Sequence, residues 1–209
     1  MKLVILGPQA SGKGTQANMI AEELDIPHIS TGDIFRKNIK EQTELGKEAL
    51  KYINDGKLVP DEVTNKIIKD RLNERDCEEG FILDGFPRNT AQAGVLDNFT
   101  QIAKVIEIQV SDEEAIKRIT GRRTCEKCGA VFSIYQEDDA AINNVCKKCG
   151  GKLVIRKDDT KEAITKRLEI YHNETEPLVD YYKEKKILLK INGERPIEII
   201  FKEIINKLK

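Results

Sequence analysis

Gly7 and Gly12 bracket four residues and Lys13 follows directly, the order of a loop that binds a polyphosphate. Glycines let the backbone take dihedrals that aim successive N–H groups at phosphate oxygens. A helix N-terminus behind the loop adds partial positive charge, and Lys13 would reach the β and γ phosphates. Gly14 stands where a metal-binding Ser or Thr ordinarily follows the lysine, and Thr15 comes one place later. The loop alone therefore leaves open how Mg²⁺ would be held. Asp84 offers a second piece, because it ends the apolar run Phe81-Ile82-Leu83. A carboxylate delivered to the C-terminal edge of a sheet, where open α/β folds bind ligands, suits Mg²⁺ directly or through its waters.

Joining two phosphorylated substrates gathers about −6 of charge in a small volume, at −1 to −2 per phosphate. Guanidinium groups neutralise such charge with bidentate geometry and stay protonated. The candidates are Arg36, Arg88, Arg118, Arg122, Arg123, Arg156 and Arg167; Arg88 closes the run Asp84-Gly85-Phe86-Pro87-Arg88. The two histidines, His28 and His172, have no motif partners, so no general base is indicated. A monophosphate acceptor needs none, since its second pKa near ~6 makes it an anionic nucleophile already. Positioning and charge neutralisation can then supply most of the catalysis.

Four of the five cysteines form Cys125-x-x-Cys128 and Cys146-x-x-Cys149, with 17 residues between the pairs. Two such knuckles, each beside a glycine (Gly129 and Gly150), predict a structural zinc site with four cysteine ligands and no open coordination position. Iron also accepts four thiolates. Cys77 stands apart and reads as a packed thiol.

These residues need elements to hold them. Lys2–Leu6 reads as a buried strand, and Ala17, Ile20, Ala21 and Leu24 recur at helical spacing over about 13–24. A short strand is expected at Ile26–Ile29, then a helix capped within Ser30–Asp33. Leu45–Ile53 reads as a helix stopped near Asn54-Asp55-Gly56, and Pro60-Asp61-Glu62 opens another. Strands are expected at Phe81–Leu83, Val105–Val110 and Ile187–Ile191. Helices should follow Ser111-Asp112, Thr160, Pro177 and Pro196. Arg122–Asp159 breaks this α/β rhythm and reads as an insert.

Composition bounds the rest. With 209 residues, 39% apolar, 34% charged and net charge −1, the chain reads as a globular protein with room for one substantial core. It lacks the basic excess of a general nucleic-acid or anionic-membrane binder. Its apolar N-terminal run is too short for a secretory signal or a membrane span, and the expected compartment is the cytoplasm.

The segments GPQASGKGTQ (7–16), ISTGD (29–33), GKLVPD (56–61), DGFPR (84–88), Gln92, GRR (121–123), RKDD (156–159) and Lys166-Arg167 carry a resemblance. Over essentially its whole length the chain resembles the adenylate kinases of the long-lid type, in which the order Lys13-Gly14-Thr15 is normal. The resemblance implies a P-loop NTPase-type parallel sheet flanked by helices, with a helical NMP-binding lobe (30–59) and a zinc-bearing lid (121–159). The core would comprise 1–29, 60–120 and 160–209. It implies the reversible, Mg²⁺-dependent reaction ATP + AMP = 2 ADP by a monomer; the alternative is a nucleoside monophosphate kinase with a wider or different acceptor base.

By that resemblance Ala10, Ser11, Gly12, Lys13, Gly14, Thr15, Arg118, Arg122, Val131, Phe132 and Arg195 would meet ATP, Arg118 by stacking on the base and Arg195 through its backbone. Thr31, Arg36, Lys57, Leu58, Val59, Gly85, Phe86, Pro87, Arg88, Gln92, Arg156 and Arg167 would meet AMP, with Gln92 reading the adenine edge. Asp84 would hold magnesium through water. Lys13, Arg88, Arg122, Arg156 and Arg167 would be catalytic, Arg122 being preferred to Arg123.

Overall fold

Strands and helices alternate along most of the chain, and their order dictates a parallel sheet. The computed structural model describes residues 1–55, 57–135, 143–156 and 159–209, with Lys161 described by its backbone alone. Gly56, at the expected helix stop, and Lys157-Asp158 of the 156–159 run lie outside the described residues. The chain opens with β1 (Lys2–Leu6), α1 (Lys13–Leu24), β2 (His28–Ser30), α2 (Thr31–Lys40), α3 (Glu44–Ile53) and α4 (Asp61–Leu72). It continues with β3 (Phe81–Asp84), α5 (Thr90–Phe99), β4 (Lys104–Gln109), α6 (Asp112–Gly121), β5 (Arg122–Cys125), β6 (Val131–Ser133) and β7 (Leu153–Val154). The last elements are α7 (Lys161–Ile170), α8 (Pro177–Glu184), β8 (Leu188–Asn192) and α9 (Ile197–Leu208). A π turn over Tyr171–Thr175 joins α7 to α8.

Five strands pair in parallel in the order β2-β3-β1-β4-β8. Because the order reverses at β1, the crevice beyond its C-terminal end is where an open α/β sheet binds ligands. The unbroken apolar run of β1 follows from burial on both faces. Leu3 and Ile5 pack with Ile20, Ile200 and Ile204, whereas Val4 and Leu6 pack with Phe86, Leu96, Leu178 and Tyr182. Each such side chain contributes about 1.5–3 kcal/mol by leaving water.

Helix starts are set locally. Ser30, Thr43, Asn89, Ser111 and Thr160 each accept a backbone N–H of the first turn behind them, an arrangement worth about 1 kcal/mol apiece. The second strand begins two residues later than expected from 26–29, since Pro27 has no N–H for the ladder; pairing runs from His28↔Ile82 to Ser30↔Asp84. β4 begins and ends one residue earlier than expected and β8 one later, in a register that pairs Val105 with Leu188. α5 was unforeseen: its buried residues are only Gln92, Ala93 and Leu96, too few to show a period.

The expected insert forms a second sheet, antiparallel in the order β6-β5-β7. No helix among the described residues is long and apolar enough to cross a membrane.

Candidate active site

The loop after β1 enters α1 through Gly12, whose φ of 90° places it in the left-handed region and whose missing side chain leaves the first turn uncapped. No acid occupies that turn, so its N–H groups and partial positive charge are left for an anion. Ser11 is 1% exposed and its Oγ has no hydrogen-bond partner among the described residues. At Gly7 an added Cβ would lie 2.6 Å from the Ile108 carbonyl oxygen; only glycine lets the loop sit this close to β4. Lys13 Nζ donates to the Pro8 carbonyl at 3.0 Å.

Around Lys13 the positive charge is dense. Burial lowers its ammonium to about 8; Asp84 opposes that shift, while Arg88, Arg122 and Arg156 push it further down. Burial likewise lowers Arg88; Asp84 opposes that shift, and Arg167 and Arg36 add to it. The tertiary structure thus gathers arginines that lie far apart along the chain. Asp84, Asp159 and Asp33 stand against part of this charge, and cations gathered in so small a space suit a polyphosphate.

Asp84 is the acidic member. Burial alone would raise its carboxyl, but His28 and the charges of Lys13 and Arg88 outweigh burial and hold it below the ordinary range. His28 Nε2 stands 3.5 Å from Asp84 Oδ2, and its Nδ1 lies 2.7 Å from Asn18 Oδ1. The sequence offered no signal for this pairing, which β2–β3 register creates. A Cβ at Gly14 would come within 3.3 Å of Asp84 Oδ2, so glycine at that position keeps the carboxylate open. An ionised, partly uncovered carboxylate beside a phosphate loop fits a hydrated magnesium ion.

Arg88 is held at three points. Its N–H donates to Gln92 Oε1 (2.7 Å), its Nε to the Gly85 carbonyl (2.9 Å), and its own carbonyl accepts from Thr175 Oγ1 (2.8 Å). Gly85 has φ 79°, and a Cβ there would sit 2.7 Å from Thr31 Oγ1. Thr31, 2% exposed, donates to the Gly85 carbonyl at 2.9 Å. Phe86 is wholly buried in the core, so its part here is to anchor the loop; the bond between Phe86 and Pro87 is cis. Gln92 is 1% exposed.

Arg36 pairs with Asp33 at 2.6 Å. Lys57 turns outward to Asp55 (3.1 Å), while Val59 packs with Phe35 and Ala49 and Leu58 is half-buried. Arg118 donates to Glu114 (2.7 Å) and the Gly193 carbonyl (2.9 Å), beside the Ser11 carbonyl at 3.4 Å. Arg195 instead pairs with Glu203. Arg122 grips Asp159, whose side chain is 1% exposed and also lies 3.7 Å from Arg167. Arg156 Nε donates to Thr124 Oγ1 at 3.1 Å. Arg123 turns back to the carbonyls of Thr120 and Arg122. Val131 is 50% exposed, whereas Phe132 packs against the cysteines.

Cys125, Cys128, Cys146 and Cys149 bring their Sγ atoms within 4.8 Å of one another. Cys125–Cys149 is 3.5 Å and Cys128–Cys146 is 3.6 Å. Disulfide sulfurs stand about 2.05 Å apart, whereas thiolates about 2.3 Å from one zinc ion have tetrahedral edges of about 3.8 Å. The spacing fits a metal. The two knuckles repeat one turn: Gly129 N–H donates to the Cys125 carbonyl (3.0 Å) and Gly150 N–H to the Cys146 carbonyl (2.8 Å), both glycines having positive φ. Backbone N–H groups of Cys128 and Lys127 lower the Cys125 thiol, while the neighbouring thiols that share its hydrogen bonds raise Cys149. Cys77, by contrast, is buried beside Arg71 and pushed up to about 11 by burial.

Comparison with known proteins follows the same lines. A family model described as adenylate kinase matches residues 5–187. The adenylate kinase of Caldanaerobacter subterraneus subsp. tengcongensis is 53% identical over 209 residues, covering 98% of this chain and 94% of its own length. That of Clostridium tetani is 50% identical over 213 residues, covering 100% of this chain and 98% of its own. That of Alkaliphilus oremlandii is 49% identical with the same coverage.

Proposed function

The chain belongs to the adenylate kinase family, and on that footing we propose how its cleft carries out ATP + AMP = 2 ADP. One observation carries the reading: Lys13 lies within electrostatic reach of Arg88, Arg122 and Arg156 at once, and Arg88 within reach of Arg36 and Arg167. This is a centre with arginines toward two substrates. ATP occupies the loop Ala10–Thr15 with Arg118 and Arg122, and the backbones near Val131, Phe132 and Arg195. AMP occupies the side formed by Thr31, Arg36, Lys57–Val59, Gly85–Arg88, Gln92 and Arg167, with Arg156 closing on it.

Lys13 and the arginines hold the phosphates in line and neutralise charge as it shifts toward the ADP leaving oxygen. The acceptor phosphate attacks as an anion, so no side chain removes a proton. Magnesium, when bound near Asp84, supplies further neutralisation of the phosphate oxygens. Zinc held by Cys125, Cys128, Cys146 and Cys149 supplies a structural tie.

Segment 30–59 acts as the monophosphate lobe and 121–159 as a lid on the core. The lid closes to bring Arg122 and Arg156 onto the phosphates and to exclude water that would otherwise take the phosphoryl group. The enzyme works as a cytoplasmic monomer. The test is ADP formation from ATP with AMP, GMP, CMP and UMP in turn, on protein of assayed metal content. AMP should be used best, and Arg156→Ala should slow transfer about 10²-fold or more; an unchanged Arg156→Ala rate would remove the lid from the mechanism.

A further inference from the structure

Gln92 is the residue to which the proposed function assigns the acceptor base, and its amide can face two ways. We propose that Asp61, a residue outside the set placed in the site above, is a positioning residue that fixes this choice and with it the preference for a 6-amino purine. The inference rests on the reading that AMP is the acceptor and Gln92 meets its base.

Asp61 begins α4, where its place after Pro60 marks it in the sequence only as a helix-opening acid. In the fold its Oδ1 accepts from Gln92 Nε2 at 2.6 Å. Asn89 Nδ2 steadies the same carboxylate, 3.2 Å from Oδ1 and 3.0 Å from Oδ2. Asn89 Oδ1 meanwhile accepts the Gln92 backbone N–H at 2.8 Å. At the other end of the amide, Gln92 Oε1 accepts the Arg88 N–H at 2.7 Å.

These partners are one-sided. A carboxylate only accepts and a backbone N–H only donates. Turning the amide over would set oxygen against oxygen at Asp61 and N–H against N–H at Arg88, in a residue that is 1% exposed and so shielded from bulk solvent. Two chemically independent contacts therefore agree on one orientation.

That orientation has a consequence for the base. Each end of the amide keeps one unused position, a second lone pair on Oε1 and a second hydrogen on Nε2. Side by side, acceptor and donor match the 6-amino group and N1 of adenine. Hypoxanthine and guanine present a carbonyl at position 6 and an N–H at position 1, the reverse order. The base cannot simply turn over to compensate, because its ribose and phosphate are anchored toward Arg36 and Arg88. A reversed Gln92 would accept those bases, and Asp61 is the part of the lock that a side-chain change can open.

IMP is the sharpest probe, since it reverses that edge without adding guanine's 2-amino group. In D61N the new amide rotates to satisfy Gln92 in either orientation, so one of the two opposing contacts vanishes. Initial rates with AMP and IMP at saturating ATP should show kcat/KM for IMP rising about tenfold while that for AMP changes little. The KM for ATP should stay constant, and thermal melting should confirm the fold. Structural damage lowers both rates and cannot raise one. The proposal is overturned if IMP turnover stays put in a folded D61N, if both rates fall in parallel, or if the wild type already uses IMP as readily as AMP. A wild type that turns over no AMP would defeat the functional reading itself, a different result from all of these.

Discussion

In the parallel sheet Leu3, Val4, Ile5, Ile82, Leu83, Val105 and Ile106 are 0% exposed, with helices against both faces. Around the antiparallel sheet, Val131 is 50% exposed, Val145 51% and Ile155 58%, while the buried centre is Cys125, Cys146 and Leu153. Both regions carry cations of the candidate site: Lys13 and Arg88 on the first, Arg122 and Arg156 on the second. The first fixes them by removing apolar area from water. The second has too little apolar area to do so, and relies on four thiols at metal-binding spacing. A small lobe with few apolar contacts has less holding its own sheet together than the parallel sheet has.

The widest gap between the regions should open on metal removal. Stripping bound metal with a chelator, or Cys146→Ser, should unfold the antiparallel sheet and leave the parallel sheet intact, since apparent zinc binding in peptides is about 10–16 kcal/mol. Limited proteolysis should then cut within that sheet alone; loss of both sheets together would show that they are one cooperative unit. Next comes apolar truncation. Ile106→Ala should cost about 2–5 kcal/mol, whereas Ile155→Ala should stay within about 0.5 kcal/mol, both read by urea denaturation. Equal losses would erase the contrast.

Lys13→Met sharpens the cost of function within the rigid region. It should slow ADP formation about 10²–10³-fold and leave the ligand-free protein melting no lower, because a desolvated ammonium among arginines is removed. A retained rate refutes the phosphate role.

The smallest effect belongs to the surface beside the parallel sheet, where His172 on the π turn bonds Glu176 (2.8 Å) and Asp112 at the start of α6 (3.0 Å). Glu176 first, then Asp112, raises its imidazole above the ordinary value. Stability from this bridge is fully present below the unfolded value near ~6.5 and is lost as pH rises through the raised folded value. His172→Gln should remove a small part of the fall in melting temperature between those limits, no more than a half-exposed pair allows. An identical pH profile in the variant would show that the bridge does not couple to folding.

Much of the candidate site could be read from residue order, because its parts are local. A phosphate loop is seven consecutive residues, 7–13, and each cysteine knuckle is four; their chemistry depends on backbone turns that neighbours set. The alternation of buried runs with amphipathic segments likewise determined a parallel α/β sheet. Less was legible where the signal was short. α5 buries only three residues, and the second strand's start turned on one missing N–H at Pro27.

What only the tertiary structure decided is who stands beside whom across long separations. His28 against Asp84 follows from strand register, Thr175 on Arg88 from the π turn, and Asp61 on Gln92 from the approach of α4 to α5. None of these pairs has a sequence pattern, because hydrogen bonds reach only about 3 Å and so depend on packing that the whole core sets at once.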